Sequence, residues 1–411
     1  MRNPLQPISG QTNDQQQQTH RLLWPIMAAA IFRIVLNTAR RFVYPFAPAL
    51  SRDLQVPLMA ITSLIAVNQA SSVAGLFIGP LADRWGYRRM MQSGLALLAM
   101  GMLVCWIAPV YSFVFIGLLL AGMGKTTYDP AVQAFVGQRV PFARRGMAIG
   151  AIETAWAGST LIGIPIVSWI ISSFGLQWSF FAMAVTGAAG LILLAKVIPA
   201  DGRSTREDAR GLSMRAALVQ LLRIRPAAGM LGFGFLVSMA NDNLFVVYGV
   251  WLEQDFGIGI LALGLSTGII GAAELTGESM TAILGDRIGL KRAMLMGVTV
   301  ASVGYLILPV IGVTLYTGLA GLFLIFLSFE FTIVCSFSLG TEVLPSSRAT
   351  MMAGYLAAAG LGRMAGAFSG GALWMAGGLT AVTVTSAAVM VLALGCLLWG
   401  LRGWKACINM S

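Results

Sequence analysis

Three arginines lie within the first long apolar stretch of the sequence, residues 22–50. A membrane-spanning helix needs roughly 20 mostly apolar residues, and an arginine at the bilayer centre costs about 2.5 to 3.5 kcal/mol. Helical periodicity places the arginines on one polar stripe with an asparagine and a tyrosine: Arg33, Asn37, Arg40, Arg41 and Tyr44. This stripe must face protein or water. The guanidinium groups of Arg40 and Arg41 can hold a carboxylate or a phosphate through bidentate hydrogen bonds, which a lysine cannot reproduce.

Further ionisable residues fall in the later apolar segments. Six are acids, which we predict to act as ion-pair partners or proton carriers: Asp129, Glu153, Asp242, Glu274, Glu278 and Glu330. Two are cations, Lys125 and Arg363, and together with the five residues of the polar stripe they make up the predicted substrate-binding set. Left unpaired in hydrocarbon, all these groups together would cost on the order of 30 kcal/mol. They must therefore be paired or hydrated, and the acids are either static counter-ions of the arginines or groups that carry a proton.

Spacing along the chain predicts which of these groups interact. Lys125 and Asp129 are one helical turn apart and can form an ion pair within one helix. Glu274 and Glu278 are also one turn apart, and like charges so placed favour the protonation of one of them. The second pair is therefore a candidate proton carrier.

The composition is that of a polytopic membrane protein. Hydrophobic residues make up 57% of the 411 residues and charged residues only 10%, which is far from the balance of a soluble domain. Twelve apolar segments are predicted, numbered here in chain order: 22–50, 57–82, 90–108, 112–137, 147–172, 178–198, 227–252, 259–283, 293–312, 315–341, 349–375 and 379–401. The predicted fold class is an all-α membrane protein with 12 transmembrane helices and both termini on one side.

Basic residues in the loops predict the orientation. Of the 27 Lys and Arg, five lie in predicted segments and one, Arg52, lies in a loop on the opposite side, so the others share the side of the termini. That side is predicted to be the cytoplasm, and the net charge of +11 is a topology signal rather than a sign of nucleic-acid binding. We predict a disordered cytoplasmic tail over 1–21, a linker over 199–226 and a second tail over 403–411, in a protein of the inner (cytoplasmic) membrane.

Enzyme and metal chemistry find little support in the sequence. The only histidine, His20, precedes the first segment, so neither a histidine proton relay nor a Ser-His-Asp triad can form within the membrane. The four cysteines have no CxxC spacing and no companion histidines, so neither a disulfide framework nor a zinc site is predicted. We expect no enzyme activity and no cofactor.

The sequence contains an internal repeat. Residues 79–104 align with residues 282–307, and the aligned positions share aspartate, arginine and several glycines. Long-period self-similarity of this kind indicates duplicated architecture. It predicts two pseudo-symmetric six-helix bundles over 22–198 and 227–402.

The same repeat relates Arg40 to Asp242 as symmetry mates on the first helices of the two halves. Opposite charges at mirrored positions on helices that line a common interface can attract each other directly. We therefore predict an ion pair between Arg40 and Asp242 across the interface between the halves.

Small residues on segment 11 predict close helix packing. Gly362, Gly366 and Gly370 are spaced four residues apart. This spacing lets the backbone of a neighbouring helix approach closely, and it is more typical of packing than of ligand contact.

A loop motif of the form GxLaDRxGrr joins segments 2 and 3. Its positions are occupied by Gly79, Asp83, Arg84, Gly86, Arg88 and Arg89, and the second copy keeps Asp286, Arg287, Gly289 and Arg292. The motif resembles the hallmark of the major facilitator superfamily of secondary transporters, and the resemblance covers roughly residues 20–402. It implies that segments 1, 4, 7 and 10 line a central cavity. The resemblance also implies that these charged loops act as a gate, locking the ends of neighbouring helices by charge-assisted hydrogen bonds.

The sequence departs from the family pattern at several positions. Ala282 replaces the first glycine in the second copy of the motif, and Gln138 replaces the acid that usually precedes the proline after segment 4. The glycine-rich antiporter signature of segment 5 is only echoed, by Gly158, Gly163 and Pro165. Drug–proton antiport therefore does not follow from the motifs.

The resemblance and the intramembrane charges together imply a secondary active transporter. It is expected to move a small anionic, zwitterionic or amphipathic organic solute by alternating access, coupled to protons. The expected partners are the solute, protons and the lipid bilayer, without nucleic acid, and the expected state is a monomer. The alternatives are a proton-independent facilitator or exchanger of organic anions, a multidrug or lipid efflux antiporter and, more remotely, a membrane sensor or assembly protein.

Overall fold

The computed structural model describes residues 9–75, 78, 85–140, 152–199, 221–344 and 348–404. All regular secondary structure in these ranges is helical. The N-terminal half contains α1 Ser9–Arg41, α2 Ala47–Asp53, α3 Leu58–Ala70, α4 Tyr87–Ile107, α5 Tyr111–Arg139, α6 Ala155–Gly158, α7 Ile164–Phe174 and α8 Leu176–Val197. The C-terminal half contains α9 Arg225–Phe245, α10 Tyr248–Phe256, α11 Ile260–Ile288, α12 Leu290–Ile311, α13 Leu315–Val343 and α14 Arg348–Gly400.

The first helix is longer than the sequence analysis predicts. It begins at Ser9, within the stretch 1–21 that was expected to be a disordered tail. Glutamine is a good helix former, and the Gln-rich stretch extends an existing membrane helix, so it does not have to nucleate a helix of its own. The other boundaries of the predicted domains stay a prediction.

The first spanning helix of each half is interrupted at an equivalent place. In the N-terminal half, α1 ends at Arg41 and α2 begins at Ala47. In the C-terminal half, α9 ends at Phe245 and α10 begins at Tyr248. The two interruptions touch, because a methyl group on Gly249 would overlap the carbonyl oxygen of Pro45. Several of the candidate site residues lie in the turns just before these breaks.

Positive φ angles recur at equivalent places in the two halves. The three pairs, each 202 or 203 residues apart, are Gln55 (53°) with Gly257 (64°), Gly86 (88°) with Gly289 (85°), and Gly175 (93°) with Gly378 (59°). Gly86 and Gly289 precede the first residues of α4 and α12, where the absence of a Cβ lets the chain turn from the loop into the helix. The backbone therefore confirms the internal repeat.

Helix packing also follows the repeat. In the N-terminal half, α4 packs on α5 and α8, and in the C-terminal half the equivalent α12 packs on α13 and α14. The two halves meet along two helix pairs, α3 with α14 and α7 with α11. This arrangement confirms two pseudo-symmetric helical bundles in contact along their inner faces.

The number of membrane spans is only partly confirmed. Within the described residues, 8 helices are long and apolar enough to cross a membrane, or up to 9 if the bent pair 47–53 and 58–74 is one span. One of them, α14, covers predicted segments 11 and 12, which are separated by a break at Gly377 and Gly378. Two helices that carry intramembrane charges, α1 and α5, are not in this set. The number twelve therefore counts the segments predicted from the sequence, whereas the described residues contain 8 or 9 helices that meet the length and hydropathy criteria for a span.

Large apolar side chains are exposed on the helices that correspond to segments 3, 6, 9 and 12. On α4 and α8 they include Met100, Leu103, Val185, Ile192 and Leu193, and on α12 and the second part of α14 they include Met296, Val303, Leu306, Val391 and Leu392. A soluble monomer rarely exposes so much contiguous apolar surface. This pattern fits a lipid-facing surface outside the central interface.

The glycines of α14 fit closely against α9, as predicted. A methyl group on Gly362 would overlap the carbonyl oxygen of Phe235, and methyl groups on Gly366 and Gly370 would overlap the carbonyl oxygens of Met239 and Asn243. Close backbone approach of this kind is how small residues hold membrane helices together. The contact brings Arg363, between two of these glycines, beside α9.

We expect Gly362→Ala to lower the free energy of unfolding by about 1 to 3 kcal/mol, the usual cost of overpacking. The matched control is Gly395→Ala in the same helix, because no heavy atom lies within 4 Å of a methyl group placed there. Alanine favours a helix by about 1 kcal/mol over glycine, so the control should be unchanged or more stable. Thermal unfolding in detergent measures both, and equal stabilities would contradict the packing argument.

Candidate functional site

Arg33 is the centre of a polar network inside the N-terminal half. Its Nε donates to Asp129 Oδ1 at 3.0 Å, its Nη1 to the backbone oxygen of Ile152 at 2.9 Å and its Nη2 to Glu153 Oε2 at 3.0 Å. The residue is 4% exposed. A buried guanidinium with five donors needs several acceptors, and these come from α5 and from the residues just before α6. Arg33 therefore joins α1, α5 and the start of the fifth segment.

Lys125 completes this network. Its Nζ donates to Asp129 Oδ2, as the one-turn spacing on α5 predicts, so that pairing is confirmed. Asp129 thus contacts two cations, Arg33 and Lys125. The second acid, Glu153, also accepts a hydrogen bond from Gln133 at 3.1 Å. The charges of this network are compensated within one half of the molecule.

Arg41 forms a buried ion pair across the interface between the halves. Its Nη1 and Nη2 donate to the two carboxylate oxygens of Glu274 on α11, at 3.1 and 2.5 Å. Thr160 and the indole of Trp156 donate to the same carboxylate at 3.0 and 3.2 Å. The guanidinium lies over the ring of Trp156 at 4.3 Å, and the ring of Phe245 lies 5.3 Å away. Both members are less than 5% exposed, so the pair excludes water.

The predicted ion pair between Arg40 and Asp242 is wrong. Arg40 Nη2 donates to Gln69 Oε1 and to Ser72 Oγ, the latter at 2.7 Å. Asp242 Oδ1 accepts a hydrogen bond from the hydroxyl of Tyr44 at 2.8 Å. Tyr44 lies four residues beyond Arg40, in the break between α1 and α2, and its hydroxyl takes the place at Asp242 that was predicted for Arg40.

A hydrogen-bond chain nevertheless links the two residues. Gln69 Nε2 donates to the hydroxyl of Tyr44, while the carbonyl oxygen of the same amide accepts from Arg40. The chain therefore runs from Arg40 through Gln69 and Tyr44 to Asp242, and we call these four residues the relay. Gln69 was missed by the sequence analysis. Its signal was the pair of neighbouring amides Asn68 and Gln69 within a predicted membrane segment, where an unpaired amide would be costly.

Several candidate residues have no ionic partner in the part of the chain that the structure describes. Arg363 lies with its guanidinium 5.5 Å from the ring centre of Trp156 and forms no ion pair there. The acids Glu278 and Glu330 likewise form no hydrogen bond or ion pair with described residues, although Glu330 is only 6% exposed. Asn37 donates to the backbone oxygen of Ala155 at 3.0 Å.

The polar stripe of the first segment is therefore divided among three partners. Arg33 belongs to the network of the N-terminal half, Arg40 and Tyr44 to the relay, and Arg41 to the ion pair between the halves. Trp156, which the sequence analysis did not single out, lies next to three cations, with Lys125 and Arg363 both 5.5 Å from its ring. The site is thus built on α1, α3, α5, α9, α11 and α14.

The predicted gate is only partly described. Gly79, Asp83 and Arg84 lie outside the described residues, as does the side chain of Asp286. In the first copy of the motif, Arg88 donates to the backbone oxygen of Ala195 near the end of α8. In the second copy, Lys291 donates to the backbone oxygen of Leu401 at 3.4 Å. Cations at equivalent positions thus bind carbonyl oxygens at the C-terminal ends of α8 and α14, where the helix dipole favours a positive charge.

The remaining basic residues of the gate point outward. Arg89, Arg287 and Arg292 are exposed. Gly86 and Gly289 provide the turns described above. Whether these groups control opening stays a prediction.

Solved transporter structures share this fold. A bacterial homologue of the human lysosomal transporter Spinster, in an inward-facing and unoccupied conformation, has a TM-score of 0.73 at 14% identity and covers 94% of this chain and 99% of its own. A D-xylose–proton symporter has a TM-score of 0.74 at 16% identity and covers 92% of this chain and 98% of its own. At these identities the likeness concerns the fold alone.

Sequence comparisons point the same way. The uncharacterized MFS-type transporter YwfA of Bacillus subtilis is 25% identical over 93% of both chains. The multidrug resistance protein MdtH of Shigella flexneri is 31% identical, but over 29% of each chain. The family model described as Major Facilitator Superfamily matches residues 29–367. With the helical bundles, the repeat and the buried polar interface in place, the chain belongs to the major facilitator superfamily and is a multi-pass membrane transporter.

Proposed function

We propose that this transporter moves a small organic anion or zwitterion together with protons across the inner membrane by alternating access. The observation that carries the proposal is a difference among the cations of the predicted membrane segments. Arg33, Arg41 and Lys125 each have a carboxylate partner. Arg40, which is buried, and Arg363, which is half-buried, have none among the described residues, although both lie at the interface between the halves. An uncompensated buried cation is costly, and an anionic solute would supply the missing charge.

Asp242 supports the coupling to protons. Both Arg40 and Arg363 are electrostatic neighbours of its carboxylate, so a charged Asp242 partly compensates them at a distance. Protonation of Asp242 would remove that compensation and favour the binding of an anion. Proton and anion would then bind together, which is the requirement for cotransport.

The orientation in the membrane is part of the proposal. The basic loops predict that the termini and the linker face the cytoplasm. The ion pair between Arg41 and Glu274 joins the two halves. Alternating access requires relative motion of the halves, so this ion pair would have to break or follow that motion during each cycle. No enzymatic step is needed for such a function.

The test is uptake into vesicles that contain the purified protein. The solutes are benzoate, succinate, inorganic phosphate, phenylalanine and the cation tetraphenylphosphonium. We expect uptake of at least one anion or zwitterion, faster with acid outside than without a pH gradient, and abolished by a protonophore. Uptake that ignores the pH gradient would favour a proton-independent facilitator, and uptake of none of the anions or the zwitterion would contradict the proposal.

Arg363→Gln provides the matching variant. It removes one of the two cations that have no carboxylate in direct contact, and we expect anion uptake to fall by about tenfold or more, because a hydrogen bond to a charged group contributes about 1.5 to 3 kcal/mol. The control is Arg402→Gln, which removes an exposed arginine just after α14. Equal uptake by the two variants would exclude Arg363 from the site.

A second candidate function is multidrug export. Its support is that two relatives, MdtH and the 24% identical MdtG of Dickeya zeae, are named multidrug resistance proteins. A multidrug exporter would move the cation tetraphenylphosphonium against a proton gradient. It would also keep this activity in Arg363→Gln, because a cationic substrate does not need that arginine.

A further inference from the structure

Gln69 lies at the centre of the relay. It is a residue of α3 that is 4% exposed, and both ends of its amide are used. The carbonyl oxygen accepts from Arg40 and the nitrogen donates to Tyr44. No other described side chain contacts both a cation without a carboxylate partner and a residue bound to Asp242. Gln69 therefore joins the candidate anion site to the candidate proton site.

The direction of the hydrogen bonds in the relay is fixed by chemistry. Arginine has donors and no acceptor, so the amide carbonyl of Gln69 must face Arg40 and the amide nitrogen must face Tyr44. The Tyr44 oxygen then accepts from Gln69, and its single proton is donated to Asp242 at 2.8 Å. All three hydrogen bonds of the relay therefore run in one direction, from the donor Arg40 toward the carboxylate oxygen of Asp242.

Protonation of Asp242 weakens the last hydrogen bond of the relay, the one that Tyr44 donates to Asp242. A proton on Oδ1 would turn that atom into a donor and leave the proton of Tyr44 without an acceptor. A proton on Oδ2 would leave Oδ1 as a neutral acceptor, and a neutral hydrogen bond is about half as strong as a charge-assisted one. In both cases Tyr44 is held less firmly, and so is the amide that Tyr44 orients.

The other charged or titratable groups that act on Asp242 do so without a hydrogen bond. They are Arg363 on α14, Arg40 and Arg41 on α1, and Tyr305 on α12. Tyr44 is the donor to its carboxylate among the described residues. The relay is therefore the hydrogen-bonded route by which a change at Asp242 can reach Arg40.

We propose that Gln69 is a positioning residue that couples proton binding at Asp242 to anion binding at Arg40. With Asp242 charged, Gln69 occupies Arg40 with its carbonyl oxygen and competes with the solute. With Asp242 protonated, the amide of Gln69 is released, and Arg40 binds the anion in place of the amide carbonyl oxygen. This inference rests on the proposed function, because it assigns the coupling step within the same site.

The first measurement is the dissociation constant of benzoate and of succinate as a function of pH. Between about pH 8 and about pH 5.5, where buried carboxyl groups can titrate, we expect wild-type affinity to rise about fivefold or more, the usual scale of coupling between sites. Gln69→Leu should still bind the anions, with a much flatter pH dependence. The same pH dependence in Gln69→Leu as in the wild type would overturn the inference.

Two further variants separate coupling from a structural role. Gln69→Glu places a carboxylate that accepts from both Arg40 and Tyr44, so anion affinity should fall at every pH. Ser72→Ala removes the other acceptor of Arg40 but leaves the relay intact, so it should keep the pH dependence of the wild type. Loss of that dependence in Ser72→Ala as well would mean that any change around Arg40 has the same effect, which would overturn the role of Gln69.

A readout without solute distinguishes this inference from the proposed function. Infrared difference spectra recorded during acidification should contain the carbonyl band of protonated Asp242, identified by its absence in Asp242→Asn. The pH at which this band appears should move in Gln69→Leu and stay in place in Thr332→Val, a buried hydroxyl that bonds its own helix. An unmoved band in Gln69→Leu contradicts the relay even if no anion is transported, whereas a moved band with no anion binding contradicts only the proposed function.

Discussion

Glu274→Gln is expected to lower the free energy of unfolding by about 3 to 5 kcal/mol, because it leaves Arg41 as a buried charge without a partner. The amide keeps the shape of the carboxylate, but only one of its two ends can accept from the guanidinium. The wild-type carboxylate accepts from Arg41, Trp156 and Thr160 together. The substitution therefore removes a charge and misdirects several hydrogen bonds, and thermal unfolding in detergent measures the loss.

The chain offers a matched control for this substitution. Glu253 on α10 pairs with Arg52 on α2 at 2.5 Å, also across the interface between the halves, but the two side chains are 28% and 55% exposed. Exposed ion pairs contribute about 0 to 1 kcal/mol. Glu253→Gln should therefore have little effect on stability. If the two variants lose similar amounts, burial of the pair is not what makes Glu274 important.

The double variant Arg41→Met with Glu274→Gln tests the pair itself. The double variant removes both charges, so neither is left buried without a partner, and it should recover much of what each single variant loses. Transport should stay low, because the ion pair between Arg41 and Glu274 would no longer join the two halves. Strictly additive losses of stability would mean that the two residues do not interact.

The features that depend on local spacing could be predicted from the sequence. The pair of Lys125 and Asp129 is separated by one helical turn, so its contact follows from helix geometry alone. The glycines of α14 predicted a close neighbour for the same reason, and the loop motif with its second copy predicted the duplicated bundles. These inferences needed the helical period and the repeat, and no knowledge of how the two halves are placed.

Contacts between the halves could not be predicted in the same way. Arg41 and Glu274 are 233 residues apart, and nothing in either segment identifies the partner. The symmetry argument correctly placed Arg40 and Asp242 in one region, but symmetry does not say which of two neighbouring side chains reaches across. Which side chain reaches Asp242 depends on the length and direction of the Tyr44 side chain and on Gln69, which lies on a third helix.

The second large effect is expected at Arg33. Arg33→Met removes the cation that holds Asp129, Glu153 and the backbone oxygen of Ile152. Glu153 has a side chain that is 41% exposed and can be hydrated, whereas that of Asp129 is 22% exposed and would keep only Lys125. By the cost of breaking a buried pair, we expect a loss of about 3 to 5 kcal/mol in the free energy of unfolding.

Lys125→Met is the matched control, because it also replaces a buried cation by methionine next to Asp129. It leaves Arg33 with all three of its acceptors and Asp129 with one cation, so its loss of stability should be clearly smaller. Arg33→Lys should fall between the two, since a lysine keeps the charge but cannot bridge three separate acceptors. Thermal unfolding of the three variants gives the order. If Lys125→Met were as unstable as Arg33→Met, the network would depend on the total charge around Asp129 and not on the fork of Arg33 that joins α1 to its neighbours.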